Sequence, residues 1–291
     1  MLRTALAAAA ASTLPGCAPQ ARGRGARPPG TPVRTTMPFE RIAYGASPQQ
    51  YGELRRPASG LASPVVVVIH GGFWQSQDDL SLMVPVCEAL ARDGYTTWNI
   101  EYRRVGDPGG GWPGTFLDVG ASTDHLRTIA PQNGLDLGSV VTLGHSAGGQ
   151  LALWLAGRRW IREGELQTAK PIKLRGAMAL AGIVDLEHAY ELGMAPVGQL
   201  MGGSPLEVPD RYAVGDPAAL IPLGVPQVLV HGSADAIVPE ALSAGYQREA
   251  TSRGDEVRLV ELPGTGHFEL IDPTTPAWAA TRESLRSLAV A

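Results

Sequence analysis

The stretch Gly144-His145-Ser146-Ala147-Gly148 constrains this chain more than any other. An apolar, β-branched run, Val140-Val141-Thr142-Leu143, precedes it, and a helix-forming run, Gln150-Leu151-Ala152-Leu153-Trp154-Leu155-Ala156, follows. The pattern reads as strand, tight turn, helix. A serine at the apex of such a turn has its hydroxyl lifted above the sheet by a strained backbone, and glycines two residues to either side let strand and helix pass without side-chain collision. The amide of Ala147 falls at the helix N-terminus, where unpaired N–H groups and the helix dipole favour a developing negative charge. One turn thus offers an attacking hydroxyl on Ser146 and part of an oxyanion hole. In a chain with 36 glycines the bare motif also arises by chance, and a β–α turn with an idle serine is the bland alternative. The flanking strand and helix argue against it.

The remaining elements alternate in the same way. Segments 41–44 and 52–55 read as edge strands. Val65-Val66-Val67-Val68-Ile69 is a continuous β-branched run, the mark of a strand covered on both faces. It leads into His70-Gly71-Gly72-Phe73-Trp74, at the sheet edge where α/β folds bind ligands. The amides of Gly72 and Phe73 are candidates to complete the hole begun by Ala147. His70 is expected to buttress this loop through its ring nitrogens rather than act as a base, and Trp74 either walls a substrate pocket or caps the sheet edge. A helix over 80–92 stops at Asp93-Gly94; strand 95–102 leads to a glycine-rich surface loop, 106–113. A helix over 118–129 returns the chain to strand 140–144. Strand 176–184 ends beside Asp185. Segment 186–225 breaks the alternation and reads as a small lid. Strand 227–230 runs into His231-Gly232-Ser233-Ala234-Asp235, a helix covers 240–252, and strand 257–260 leads to Gly264-Thr265-Gly266-His267. This alternation predicts an α/β fold: a mostly parallel central sheet with helices on both faces.

A serine elbow takes its partners in the chain order Ser, Asp or Glu, His. Of the six histidines only His188, His231 and His267 follow Ser146. His188 lies in the lid and His231 precedes its loop's acid, which leaves His267 as the base. Asp185 and Asp235 both stand at strand ends. Asp235 is preferred because it follows the last strand before the histidine hairpin, whereas Asp185 suits a helix N-cap. His267 would take the Ser146 proton and return it to the leaving group, and Asp235 would fix the imidazole tautomer. No metal or organic cofactor is required.

With 291 residues, 44% of them apolar, the chain can bury one large core. Its net charge is −4, and the Lys and Arg residues form no dense cluster outside 22–34, so nucleic-acid binding is not expected. The two cysteines, Cys17 and Cys87, make neither a disulfide framework nor a metal site, and Cys87 reads as a small core hydrophobe. Residues 1–17 read as an export signal: a short basic start, then an Ala- and Leu-rich run too short to span a bilayer. It ends in Leu14-Pro15-Gly16-Cys17, which resembles the bacterial lipobox except at Pro15. Cys17 is therefore the expected lipid attachment site of an envelope protein, with plain secretion as the alternative. Residues 18–36, rich in Pro, Gly and Arg, read as a tether, and the folded domain spans 37–291.

The blocks His70-Gly71-Gly72-Phe73-Trp74, Gly144-His145-Ser146-Ala147-Gly148-Gly149, His231-Gly232-Ser233-Ala234-Asp235-Ala236-Ile237-Val238-Pro239 and Gly266-His267-Phe268 resemble the α/β-hydrolase superfamily. Within it they are similar to the esterases that carry His-Gly-Gly-x-Trp, which include kynurenine formamidases and feruloyl and acetylxylan esterases. In the lid, Leu200-Met201-Gly202-Gly203, Arg211-Tyr212 and Asp216-Pro217-Ala218 are similar to the same group. The resemblance implies an α/β-hydrolase fold and hydrolysis of a small-molecule ester, of short acyl or aryl type. A formamidase acting on N-formylkynurenine is the alternative, and the export signal argues against it. A peptidase and a non-catalytic envelope-tethered binding module are the remaining readings.

Overall fold

The computed structural model describes residues 37–59 and 63–289. The export signal, Cys17 and the 18–36 tether lie outside the described residues. Eight strands form one sheet in the order β1-β2-β4-β3-β5-β6-β7-β8. They are β1 (Glu40–Ala43), β2 (Tyr51–Arg55), β3 (Pro64–Ile69), β4 (Thr96–Ile100), β5 (Asp136–His145), β6 (Gly176–Leu180), β7 (Gln227–Gly232) and β8 (Val257–Leu262). From β4 to β8 neighbouring strands run parallel, and β1 and β2 add an antiparallel margin. Segment 52–55, read as an edge strand, in fact pairs on both sides, with β1 and with β4. Its burial shows the same, since Gly52–Arg55 are all buried while β1 carries the exposed margin.

β3 shows why a β-branched run makes a central strand. Val65, Val67 and Ile69 enter one core layer, with Trp98, Val119, Leu151 and Leu155, while Val66 and Val68 enter the other, with Val86, Leu90 and Leu285. The first layer holds α2 (Gly114–Asn133) and α3 (Ala147–Gly157); the second holds α1 (Val84–Arg92) and α8 (Ala277–Ala289). All five residues from Val65 to Ile69 are fully buried, and each such side chain stabilises the fold by about 1.5–3 kcal/mol through burial. The same layer explains Cys87, a buried free thiol pushed up to about 12 by burial.

Several boundaries move for local reasons. The 80–92 helix begins as a 3-10 turn, Leu80–Met83, capped by the Asp79 carboxylate, and becomes α1 where Pro85 stands in its first turn. β6 stops at Leu180 because Ala181 has φ 47, outside the strand range. Segment 186–225 is not irregular. It holds three short helices, α4 (Leu186–Glu191), α5 (Ala195–Met201) and α6 (Pro209–Gly215), each too short to display a hydrophobic period. It rests on α3, whose Trp154 Nε1 donates to the Val214 carbonyl at 2.9 Å and whose Gln150 Nε2 donates to the Gly215 carbonyl at 2.9 Å. α7 (Glu240–Ser252) completes the helices and joins β7 to β8.

Candidate active site

The connection after β3 runs to one side of the sheet, to β4, and the connection after β4 returns to the other, to β5. This reversal opens a crevice at the C-terminal strand ends, and Gly72, Phe73, Ser146 and His267 meet at one cavity there. Ser146 follows β5 and opens α3 with φ 55 and ψ −122, a conformation that costs a non-glycine residue about 1–3 kcal/mol. The turn is pinned: the Ser146 amide donates to the Leu180 carbonyl at 2.8 Å, and the Ser146 carbonyl accepts from Gly149 at 2.9 Å and Ile183 at 3.3 Å. A methyl on Gly144 would fall 1.9 Å from the Gly148 carbonyl oxygen, and one on Gly148 would fall 2.3 Å from that of Ile69. The two glycines are therefore required by backbone contact.

His267 follows β8, and its Nδ1 lies 2.6 Å from Asp235 Oδ2. The other carboxylate oxygen of Asp235 accepts from the amides of Ile237 at 2.8 Å and Val238 at 2.9 Å. Burial alone would raise this carboxyl, but the bonds from His231, His267, Val238 and Ile237 outweigh burial and hold it far below the usual carboxylate range. An anionic Asp235 fixes the proton on Nδ1 of His267 and leaves Nε2 with a free lone pair. Ser146 and His267 line one cavity of about 180 Å³ together with Gly72 and Phe73. Leu82, Ile237 and Phe268 supply its apolar walls, and Asp78 and His145 line it as well. Asp185, the other acid considered, is committed to the N-cap of α4, where it accepts the His188 amide at 2.9 Å.

Two histidines carry roles that the sequence pattern did not announce. His145 Nε2 donates to the main-chain carbonyl of His267 at 3.0 Å, with the two rings 4.5 Å apart. Burial, assisted by repulsion from His267, lowers His145 to about 3, so it stays neutral. His231 Nε2 faces the Val238 carbonyl at 3.0 Å and Asp235 Oδ2 at 3.3 Å, and its Nδ1 meets Ser243 Oγ at 2.7 Å. The signal for His145 was its place inside the elbow motif, and for His231 its spacing of four from Asp235.

The loop after β3 supplies the opposite wall. Gly72, Phe73 and Trp74 have φ of 104, 51 and 57, and the Gln75 amide donates to the Gly72 carbonyl at 2.9 Å. Two central residues with positive φ are the signature of a type I′ turn. The amides of Gly72, Phe73 and Ala147 have no acceptor among the described residues. His70 buttresses the loop from below, its ring nitrogens 2.8 Å from the Gly71 carbonyl and 3.1 Å from Glu101 Oε1, with the Tyr102 ring stacked at 4.4 Å. The structure does not bring Trp74 to the cavity. Its positive φ turns the indole inward, where it is fully buried and Nε1 donates to Gln150 Oε1 at 3.1 Å. The aromatic that reaches the cavity from this loop is Phe73. Among the described residues no group of three or more His, Cys, Asp or Glu side chains is arranged to hold a metal ion.

A family model described as BD-FAE matches residues 54–249, about two thirds of the chain, from the end of β2 into α7. The chain belongs to the BD-FAE family. This BD-FAE chain is 26% identical over 245 residues to esterase LipC of Mycobacterium tuberculosis, a match covering 80% of this chain and 60% of LipC. It is 24% identical over 247 residues to a kynurenine formamidase of Salmo salar, covering 79% of this chain and 75% of the relative. The chain thus spans only about three fifths of the length of LipC. Among solved structures, a truncated carbohydrate esterase from gut microbiota superposes with a TM-score of 0.76 at 18% identity, over 89% of this chain and 99% of that one. These likenesses agree with the α/β-hydrolase fold drawn from the BD-FAE sequence.

Proposed function

We propose that this chain is a serine hydrolase of carboxylic esters, acting through Ser146, His267 and Asp235 by way of an acyl-enzyme. The observation that carries this reading is the meeting of a strained Ser146 with an Asp235-held His267 at one cavity. His267 Nε2 is the free nitrogen and takes the hydroxyl proton as Ser146 Oγ attacks the ester carbonyl carbon. The imidazolium that forms is stabilised by Asp235, whose remaining lone pairs are already occupied by two amides. The carbonyl oxygen, now anionic, takes the three unpaired amides of Gly72, Phe73 and Ala147, each such donor contributing about 3 kcal/mol to lowering the barrier. His267 then protonates the leaving alcohol, and a water repeats the sequence on the acyl-enzyme. A cavity of about 180 Å³ with apolar walls suits a short acyl or small aryl group.

Ser146→Ala is expected to abolish turnover of 4-nitrophenyl acetate and labelling by a fluorophosphonate; wild-type rates in the variant overturn the reading. A second substrate follows from the likeness to a kynurenine formamidase, since an aryl formamide presents the same carbonyl to the same groups. N-formylkynurenine assayed beside the ester decides which is turned over faster. The reading includes export, with Cys17 as the lipid-bearing residue; radiolabelled palmitate incorporated by the wild type and lost in Cys17→Ser tests it. No helix among the described residues is long and apolar enough to cross a membrane.

A further inference from the structure

One carboxylate at the cavity is left out of every pairing. Asp78 lines the space that Ser146 and His267 share. A methyl built on Gly72 would lie 2.6 Å from its Oδ2, so the carboxylate sits directly over the Gly72 backbone. The side chain is exposed, and among the described residues it receives no hydrogen bond and joins no ion pair. Its backbone is tied down instead: the Asp78 amide donates to the Gln75 carbonyl at 3.4 Å, and its carbonyl accepts from the Arg104 guanidinium.

The surrounding charges do not neutralise it. Asp79 spends its carboxylate on the Ser81 amide at 2.8 Å. Arg104, whose guanidinium meets the Asp78 main-chain carbonyl, is shared between Asp107 at 3.1 Å and Glu101 at 3.4 Å. Glu101 also holds His70, at 3.1 Å. The side chains of Asp79, Glu101, Arg104 and Asp107 each have a partner, and among the described residues the Asp78 carboxylate has none.

A lone negative charge beside unpaired amides opposes the build-up of an oxyanion there. For a neutral ester that position is a handicap; for an ester bearing a positive charge it is an attraction. Phe73 and Phe268 line the same cavity, and aromatic faces add attraction for cations. We infer that Asp78 selects substrates by charge, favouring esters that carry an alkylammonium group and rejecting those that carry a carboxylate. This inference rests on the hydrolase reading above and names a substrate class for that site.

The test compares kcat/KM for two near-isosteric pairs: choline acetate against 3,3-dimethylbutyl acetate, and methyl butyrate against monomethyl succinate. Wild-type protein at low ionic strength is expected to prefer the more positive member of each pair by roughly tenfold, a preference that shrinks as salt approaches about 1 M. In Asp78→Asn, which keeps the shape and removes the charge, both preferences are expected to fall by at least about threefold. Preferences that change less than that, or that are absent in the wild type, overturn the inference. If the wild type hydrolyses none of the four esters, the hydrolase reading falls and takes this inference with it; hydrolysis without charge preference sinks this inference alone.

Discussion

The two walls of the cavity are built on opposite principles. On the wall that carries Asp235, His231, His145 and His267, the bonds gather on one carboxylate: Asp235 takes two amides and two imidazoles, while His145 Nδ1 is left without a partner among the described residues. On the wall that carries Gly72, Phe73 and Asp78, donors and one charge have no partner among the described residues, and the backbone is held in the left-handed region. A proton carrier must keep one tautomer and one orientation through the reaction, so saturating its neighbours with bonds favours it. A binding site for charge that exists only in the transition state gains from donors that no ground-state group has claimed. The difference between the walls matches the division of labour that the proposed function requires.

The largest effect is expected from breaking the paired wall at its centre. Asp235→Asn presents an amide to His267 Nδ1 and favours the wrong tautomer, so kcat for a short ester should fall by about a thousandfold or more while KM changes little. A fall of only a few-fold would mean that another acid orients His267. Next comes the unpaired wall. Gly72→Ala places a methyl 2.4 Å from Asp78 Cβ at a φ of 104, so the turn must shift and its amides with it. The expected loss in kcat is about a hundredfold, read together with slower fluorophosphonate labelling. Near-normal kcat would show that this loop's amides do not hold the oxyanion.

The smallest effect concerns stability. A carboxyl held below its ordinary value of 3.8 binds its proton less readily folded than unfolded. It therefore stabilises the fold above about pH 4, and that contribution is lost as the pH falls further. Urea unfolding at pH 7 and pH 3 should show wild type losing about 1–2 kcal/mol more than Asp235→Asn over that interval. Equal losses would show that the paired wall is not what resists acid.

Much of this arrangement was legible in the residues because backbone demands leave marks in composition. Gly144 and Gly148 stand where any side chain would strike main chain, and Val65 to Ile69 could only fill two core layers at once. What stayed hidden depends on tertiary contact or on torsion. Nothing in Phe73-Trp74 declares two successive positive φ angles, and that pair of torsions sends the phenyl to the cavity and the indole into the core. His145 donates to a carbonyl that lies 122 residues away, a contact that no local pattern encodes. The three helices of 186–225 fell below the length at which periodicity can be read.

The absence of room around Gly148 carries a consequence for how such a protein can change. With Ile69 and His70 pressed against it, the Ser146 turn and the root of the 70–74 loop move as one rigid joint. Leu82 and Ile237 reach the same space from separate segments, whereas Phe268 packs on the rings of His145 and His267 at 5.7 and 5.1 Å. Under the proposed function, the fit of the cavity can therefore change at Leu82 and Ile237, one at a time, while Ser146 and His267 stay in place.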